Sequence, residues 1–177
     1  MPVRLLFQDE ARFGRLSDHR RCWAPFPSRP CVGQQVIREY TYAVAAVSPQ
    51  DGRFASLVLP WLDAPAMSVF LAQTAQEFSG EYCLMLLDGA GWHRATALQV
   101  PETLRLLRLP PYSPELNPVE HLWEYLRENY FGNHVFPSLE AVLDRLCRGL
   151  RMLDQQPQLV QSMTDFAWMK PLYLMLN

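Results

Sequence analysis

Tyr82-Cys-Leu-Met-Leu-Leu-Asp88-Gly89 is the stretch that decides the fold class. The apolar run is short for a core helix and too continuous for a strand with one wet face. It reads as a strand buried on both faces, the kind found in parallel sheets. Gly89 and Gly91 punctuate its end. Ligand sites in open α/β sheets lie beyond the carboxyl ends of such strands, and Asp88 stands there. A second run, Val3-Arg-Leu-Leu-Phe-Gln8, leads into Asp9 in the same way.

Downstream, Leu104 to Leu109 reads as a further strand. It runs into Leu109-Pro-Pro-Tyr-Ser-Pro-Glu-Leu-Asn-Pro-Val-Glu-His-Leu-Trp123. Pro110, Pro111, Pro114 and Pro118 each fix their own φ and push the preceding residue out of the helical region. The result is a stiff, extended arm. Asn117 is a good helix N-cap, Pro118 suits the first helical position, and Glu120 falls three residues after the cap. Leu116, Val119, Leu122, Trp123, Leu126 and Tyr130 follow at helical spacing. The arm therefore delivers the Glu120 carboxylate to a fixed place. Taken alone, Glu120 reads better as closing a capping box on the Asn117 backbone; the two aspartates at strand ends argue for the ligand site.

The other elements complete an α/β pattern. Val36 to Val47 and Phe54 to Leu59 are rich in β-formers, with the turn Pro49-Gln-Asp-Gly52 between them. Pro65 to Phe78 is an amphipathic helix closed by Gly80. Trp92 to Leu98 reads as a short helix. Phe131-Gly-Asn133 ends the Glu120 helix, and Ser138 caps another with Leu139, Val142, Leu143, Leu146, Leu150 and Leu153 on its apolar face. The apolar tail from Phe166 to Leu176 is expected to pack on the core or on a second protomer. This order predicts one domain over residues 1–177, a mixed central sheet flanked by helices.

Composition narrows the function classes. With 49% hydrophobic residues the chain is ordinary globular material. A formal charge of −2 and a pI near 6.1 exclude a protein that grips nucleic acid by overall charge. Any such surface must be local. Arg12, Arg15, Arg20, Arg21 and Arg29 crowd the segment from Ala11 to Pro30, interleaved with Trp23 and Phe26. That segment reads either as a hairpin and loop against DNA phosphates or as a solvated loop with its aromatics tucked onto the sheet. Arg145, Arg148 and Arg151 form a second, helical ribbon. Cys22, Cys31, Cys83 and Cys147 lack paired metal-site spacing and suit a reducing cytoplasm. No apolar stretch approaches membrane-spanning length.

Asp9, Asp88-Gly-Ala-Gly-Trp-His93 and the arm ending in Glu120 together resemble the three catalytic blocks of the DDE transposases. The match is closest to the bacterial insertion-sequence branch of the mariner superfamily. The interval from Asp88 to Glu120 is a few residues shorter than in that family, a difference that falls near Gln99 to Thr103. The resemblance implies an RNase H-like fold with the two aspartate strands adjacent and parallel. It implies Asp9, Asp88 and Glu120 as catalytic metal ligands, with two Mg²⁺ or Mn²⁺ ions. Hard oxygen ligands suit those metals. It further implies cleavage at transposon ends and strand transfer into target DNA, in the bacterial cytoplasm and on the nucleoid.

His93 matches a family histidine that could contact a scissile phosphate. Glu10, on the opposite face of the strand from Asp9, and Glu124, one turn beyond Glu120, are reserve carboxylates. Arg12, Arg15, Arg20 and Arg21 are the expected DNA contacts, and a homodimer is the expected active form. The family's N-terminal helix-turn-helix is absent from these residues, which fits a truncated copy, an excised catalytic domain, or the second frame of a split element whose end-binding portion is separately encoded. An RNase H-like nuclease or resolvase and an inactive relic stand as alternatives.

Charge and the missing helix-turn-helix give a first prediction. The chain alone should bind DNA without sequence preference, with a Kd of about 10⁻⁴–10⁻⁶ M at physiological salt, weakening steeply as salt rises. Fluorescence anisotropy on unrelated duplexes checks this. Sub-nanomolar, sequence-selective binding contradicts it.

Overall fold

The computed structural model describes residues 1–89, 97–111 and 113–176. Five strands, β1 (Val3–Leu16), β2 (Val36–Val47), β3 (Phe54–Leu59), β4 (Tyr82–Leu87) and β5 (Leu104–Arg108), form one sheet in the order β3-β2-β1-β4-β5. The β1–β2 and β2–β3 pairs are antiparallel; β1–β4 and β4–β5 are parallel. The mixed sheet is as the element order predicts, and the parallel neighbours β1 and β4 are as the family resemblance implies.

Side chains alternate across the sheet. Leu6, Val44, Ala46, Met85 and Leu87 point to one face, where they meet Met67, Phe70 and Leu71 of α1 (Ala64–Glu77). Asp63 caps that helix, its Oδ1 accepting from the Ala66 amide at 2.8 Å. Leu5, Phe7, Ala11, Phe13, Ala43 and Ala45 point to the other face. There they lie under α2 (Val119–Leu126), α3 (Leu139–Asp154) and α4 (Pro157–Thr164).

Several local expectations hold. Ser138 caps α3, its Oγ accepting from the Ala141 amide at 3.2 Å. The helix that begins with α2 widens into a π turn over Arg127–Phe131, closed by the Gly132 amide on the Arg127 carbonyl at 2.6 Å. Asn133 then takes φ 61°, a left-handed conformation that asparagine tolerates better than most residues. In the tail, Met169 is buried and Phe166, Leu172 and Tyr173 pack on the core, while Leu174 and Met175 of α5 (Lys170–Leu176) stay exposed.

Other expectations need correction. β1 does not stop at Asp9 but runs to Leu16, because Ala11 and Phe13 continue its buried alternation against β2. The proline arm is not extended throughout, since Pro114–Leu116 makes a single 3₁₀ turn. Trp23 and Phe26 are not tucked onto the sheet: at 104% and 98% relative exposure they project from the 17–35 loop. The short helix expected at Trp92 to Leu98 lies mostly outside the described residues. No described helix is long and apolar enough to cross a membrane.

The β2–β3 turn shows how closely the second helical layer sits on the sheet. Gly52 has φ +74°, and a Cβ placed there would lie 1.9 Å from the Pro157 carbonyl oxygen at the start of α4. Gly80 has φ +85° with nothing within 4 Å. Gly80→Ala should therefore cost only backbone strain, about 1–2 kcal/mol. Gly52→Ala should cost clearly more, because α4 must also shift. Urea denaturation of the two variants checks the order.

Candidate active site

The β1–β4 ladder is in register from Val3↔Tyr82 to Phe7↔Leu86. Each strand carries its aspartate two residues further on, and alternation returns both to the α2 face of the sheet. β4 ends at Leu87, whereas β1 continues beside β2. A cleft of about 650 Å³ opens at this step, lined by Asp9, Asp88, Glu120, Arg108 and the proline arm. The three carboxylates singled out from sequence thus share one cleft. Among the described residues, no three carboxylate, histidine or cysteine groups come close enough to form a ready-made metal site.

Glu120 reaches the cleft through a start that is tied down at two points. Pro118 already has helical dihedrals, −66° and −16°, and Asn117 before it is extended. Asn117 is buried. Its Oδ1 accepts from the Val119 amide at 3.3 Å, and its Nδ2 donates to the Gln8 carbonyl at 2.9 Å. The same side chain therefore begins the helix and fastens it to β1 next to Asp9. The Asn117 amide donates to the Pro114 carbonyl at 2.9 Å. That bond uses the donor a capping box would need, so Glu120 faces the cleft instead.

Asp9 is 8% exposed. Its Oδ2 accepts from Trp123 Nε1 at 2.9 Å. Burial, then the charge of Glu120, then that of Glu10 push its pKa up to about 8, against the opposing pull of the indole and the Glu10 backbone amide. No described cation forms an ion pair with it. A buried carboxylate beside two others and held only by a neutral indole and a backbone amide is short of positive charge. With a second and third carboxylate on the same cleft, the donor set is hard oxygen, which fits Mg²⁺ or Mn²⁺.

The remaining candidates lie elsewhere. Glu10 faces the α1 side, where Gln8 Nε2 donates to its Oε2 at 3.0 Å. Glu124 does not line the cleft and is ion-paired with Arg20. His93 lies outside the described residues. Arg20 also bonds Asp18, and Arg15 bonds Glu39 and the Phe136 and Pro137 carbonyls. Arg12 stacks over the Tyr40 ring at 4.3 Å, with its guanidinium at the surface. Arg21 is exposed beside Glu128.

Three site residues escaped sequence reasoning. Arg108 is opposite Leu87 in the β4–β5 register, so the strand count could have placed it beside Asp88. Trp123 was legible only as a core position, although a buried indole N–H needs an acceptor. Asn117 was read as a cap alone.

A parallel-strand pair delivering two aspartates, faced by a glutamate at a helix start, gives a carboxylate-lined cleft on an RNase H-like sheet. The chain matches the DDE superfamily endonuclease family over residues 4–143 and belongs to it. An uncharacterized protein, y4pE/y4sA, of Sinorhizobium fredii (strain NBRC 101917 / NGR234) is 37% identical over 130 residues, covering 73% of this chain and 96% of that protein. The fold is similar to that of the Mos1 strand transfer complex, with TM-score 0.59 and 17% identity, covering 92% of this chain and 55% of that one. A pre-cleavage Mos1 transpososome gives TM-score 0.60 at 15% identity, covering 92% and 56%. This chain thus spans about half the length of the Mos1 chains it matches.

The raised Asp9 pKa fixes the sign of a pH effect. Between the ordinary carboxylate value and about 8, folded Asp9 keeps a proton that the unfolded chain has lost. Metal-free stability should therefore fall as pH rises from about 4 to about 8, by at most the order of a kcal/mol per pH unit from this group, and level off above. Asp9→Asn should remove that slope. Urea midpoints between pH 5 and 8.5 test it, and equal slopes in parent and variant contradict it.

Proposed function

We propose that this chain is the catalytic domain of a transposase, cutting DNA strands at transposon ends and joining them to target DNA with divalent metal ions. The observation that carries the reading is the cleft itself. Asp9, Asp88 and Glu120, from two parallel strands and a rigidly delivered helix start, line one opening in a member of an endonuclease family. Mos1, whose fold is similar, is described in paired-end complexes with Mn and with Mg.

On this reading Asp9, Asp88 and Glu120 hold two Mg²⁺ or Mn²⁺ ions. Such ions activate the attacking oxygen and stabilise the leaving one in phosphodiester displacement. The protein's own groups do the rest. Asp9 gives up its proton on becoming a ligand, so loading the site below about pH 8 releases a proton. The proline arm and the Asn117 amide keep Glu120 from drifting when the cleft is highly charged. Arg108 at the rim offers a guanidinium to a phosphate beside the reacting one. Arg12 and Arg21 present exposed guanidinia to the DNA backbone. The motif that carries Asp88 also carries His93, which the family resemblance makes a candidate for contact with a scissile phosphate. Residues 1–177 act as one catalytic domain, as a homodimer, with an end-recognition portion encoded with it or separately.

Glu120→Gln tests the assignment. The Asn117 amide is already bonded to Pro114, so the fold does not need the Glu120 charge. Metal-free melting temperatures of parent and variant should be close. A metal that binds only the folded state adds about 2.7 kcal/mol at a hundredfold excess over Kd. The parent should gain that order of stability with Mn²⁺ and cleave DNA to leave 3′-hydroxyl ends. The variant should gain much less and not cleave. Equal Mn²⁺ stabilisation in both would remove Glu120 from the site.

A further inference from the structure

Trp123 does more than fill the core. The residue is 1% exposed, and its ring packs edge-on to Phe13 with centroids 6.1 Å apart and planes at 70°. That packing fixes the direction of its one polar atom. Nε1 donates to Asp9 Oδ2 at 2.9 Å. A buried indole is content with any acceptor, and a backbone carbonyl would satisfy it at no electrostatic cost. Here the acceptor is instead a carboxylate that lines the cleft. The contact also has a companion. From the same segment, three residues before Glu120, Asn117 Nδ2 donates to the Gln8 carbonyl at 2.9 Å. The Glu120 element is thus fastened to the Asp9 strand on both sides of Glu120, once through backbone and once through the Asp9 carboxylate.

We propose that Trp123 is a positioning residue whose indole N–H, bonded to Oδ2, holds the plane of the Asp9 carboxylate for a divalent cation in the cleft. The Glu10 backbone amide is the carboxylate's other donor; the indole is the one that comes from the Glu120 helix. This rests on the reading of the cleft as a metal site. Hydrogen bonds that orient ligating side chains typically account for ten- to hundredfold in metal affinity or activity. The indole supplies that orientation from a residue on the Glu120 helix, so two ligands are set relative to each other through one hydrogen bond.

The test uses the full chain labelled with ¹⁵N-tryptophan. The Trp123 indole resonance is identified by its loss in Trp123→Phe, which keeps most of the ring's packing. In the parent, that N–H should be protected from hydrogen exchange and should stay protected when Mg²⁺ saturates the site. Exchange at the rate of an exposed indole in the Mg²⁺-bound protein would mean that Asp9 releases Trp123, and would overturn the proposal. Separately, Mn²⁺ affinity measured from the free-ion paramagnetic resonance signal should fall about tenfold in Trp123→Phe. Unchanged affinity in a variant with a normal melting transition would also overturn it. If Trp123→Phe does not fold, the exchange measurement on the parent decides, with its indole resonance assigned by sequential connectivity. Failure of the parent to bind Mn²⁺, or binding that Asp9→Asn leaves intact, would defeat the metal-site reading and this proposal with it. Binding lost in Asp9→Asn but unaffected by Trp123→Phe would defeat this proposal alone.

Discussion

Asp9 is placed where an ordinary sheet would carry an apolar side chain. On β1, Leu5, Phe7, Ala11 and Phe13 all face the α2 side and all are core. Asp9 is the interruption in that series, 8% exposed. Burying a carboxylate there is unfavourable unless something offsets the lost hydration. The local architecture can be understood as the set of arrangements that makes this burial tolerable. β4 ends one strand-width away, which brings solvent near one side of the carboxylate. The Trp123 indole supplies a hydrogen bond on the other. A proton supplies the rest at neutral pH, since burial and the neighbouring carboxylates raise the pKa to about 8. Each feature would be gratuitous around an alanine.

The Glu120 segment follows from the same constraint. A carboxylate brought up to a buried carboxylate is repelled, so it must be delivered by something stiff. Proline supplies the stiffness by removing φ as a variable, and the 3₁₀ turn at Pro114–Leu116 changes the arm's direction without adding length. The buried Asn117 amide turns that stiffness into position, because one group starts the helix and bonds the Gln8 carbonyl. The helix behind it is anchored by the fully buried Val119, Leu122, Trp123 and Leu126. Rigidity in the arm, burial in the helix and a hydrogen bond to β1 fix the same side chain from three directions.

Much of this was legible before any coordinates. The six-residue apolar run before Asp88 indicated a parallel strand, and β4 is that strand, Tyr82–Leu87. The β2 and β3 boundaries, the Ser138 cap and the break at Gly132 and Asn133 follow from local chemistry, which acts within a few residues of itself. What was not legible is what acts across the chain. β1 continues past Asp9 because β2 pairs with it, and no local run of apolar residues advertises that. Arg20 looks like a nucleic-acid contact until Glu124, more than a hundred positions away, is seen to hold it. Trp123 has the spacing of a core residue, and nothing in the spacing says what its N–H will meet. The resemblance to the DDE transposases named the carboxylates; packing alone shows how they are held.

The distribution of charge then explains how an acidic chain can act on a polyanion. The arginines near the cleft are not interchangeable. Arg15 and Arg20 spend their donors on the 17–35 loop, the 132–137 segment and neighbouring carboxylates, and so serve the fold. Arg12, stacked on Tyr40, is braced by a ring that takes no charge from it. Arg108 is the one cation among the described residues that line the cleft. Against Asp9, Asp88 and Glu120 it leaves the opening negative unless ions or protons are bound. A phosphate approaching the metal-free cleft therefore meets repulsion within a few ångströms, where salt screens least. Two divalent ions, held as proposed, would reverse that sign. In the proposed transposase, the ions that perform the chemistry would also be the condition for the DNA strand to enter. The low overall charge then ceases to be an anomaly, because attraction at the site would be generated there and only a few exposed arginines, Arg12 and Arg21 among them, need add to it.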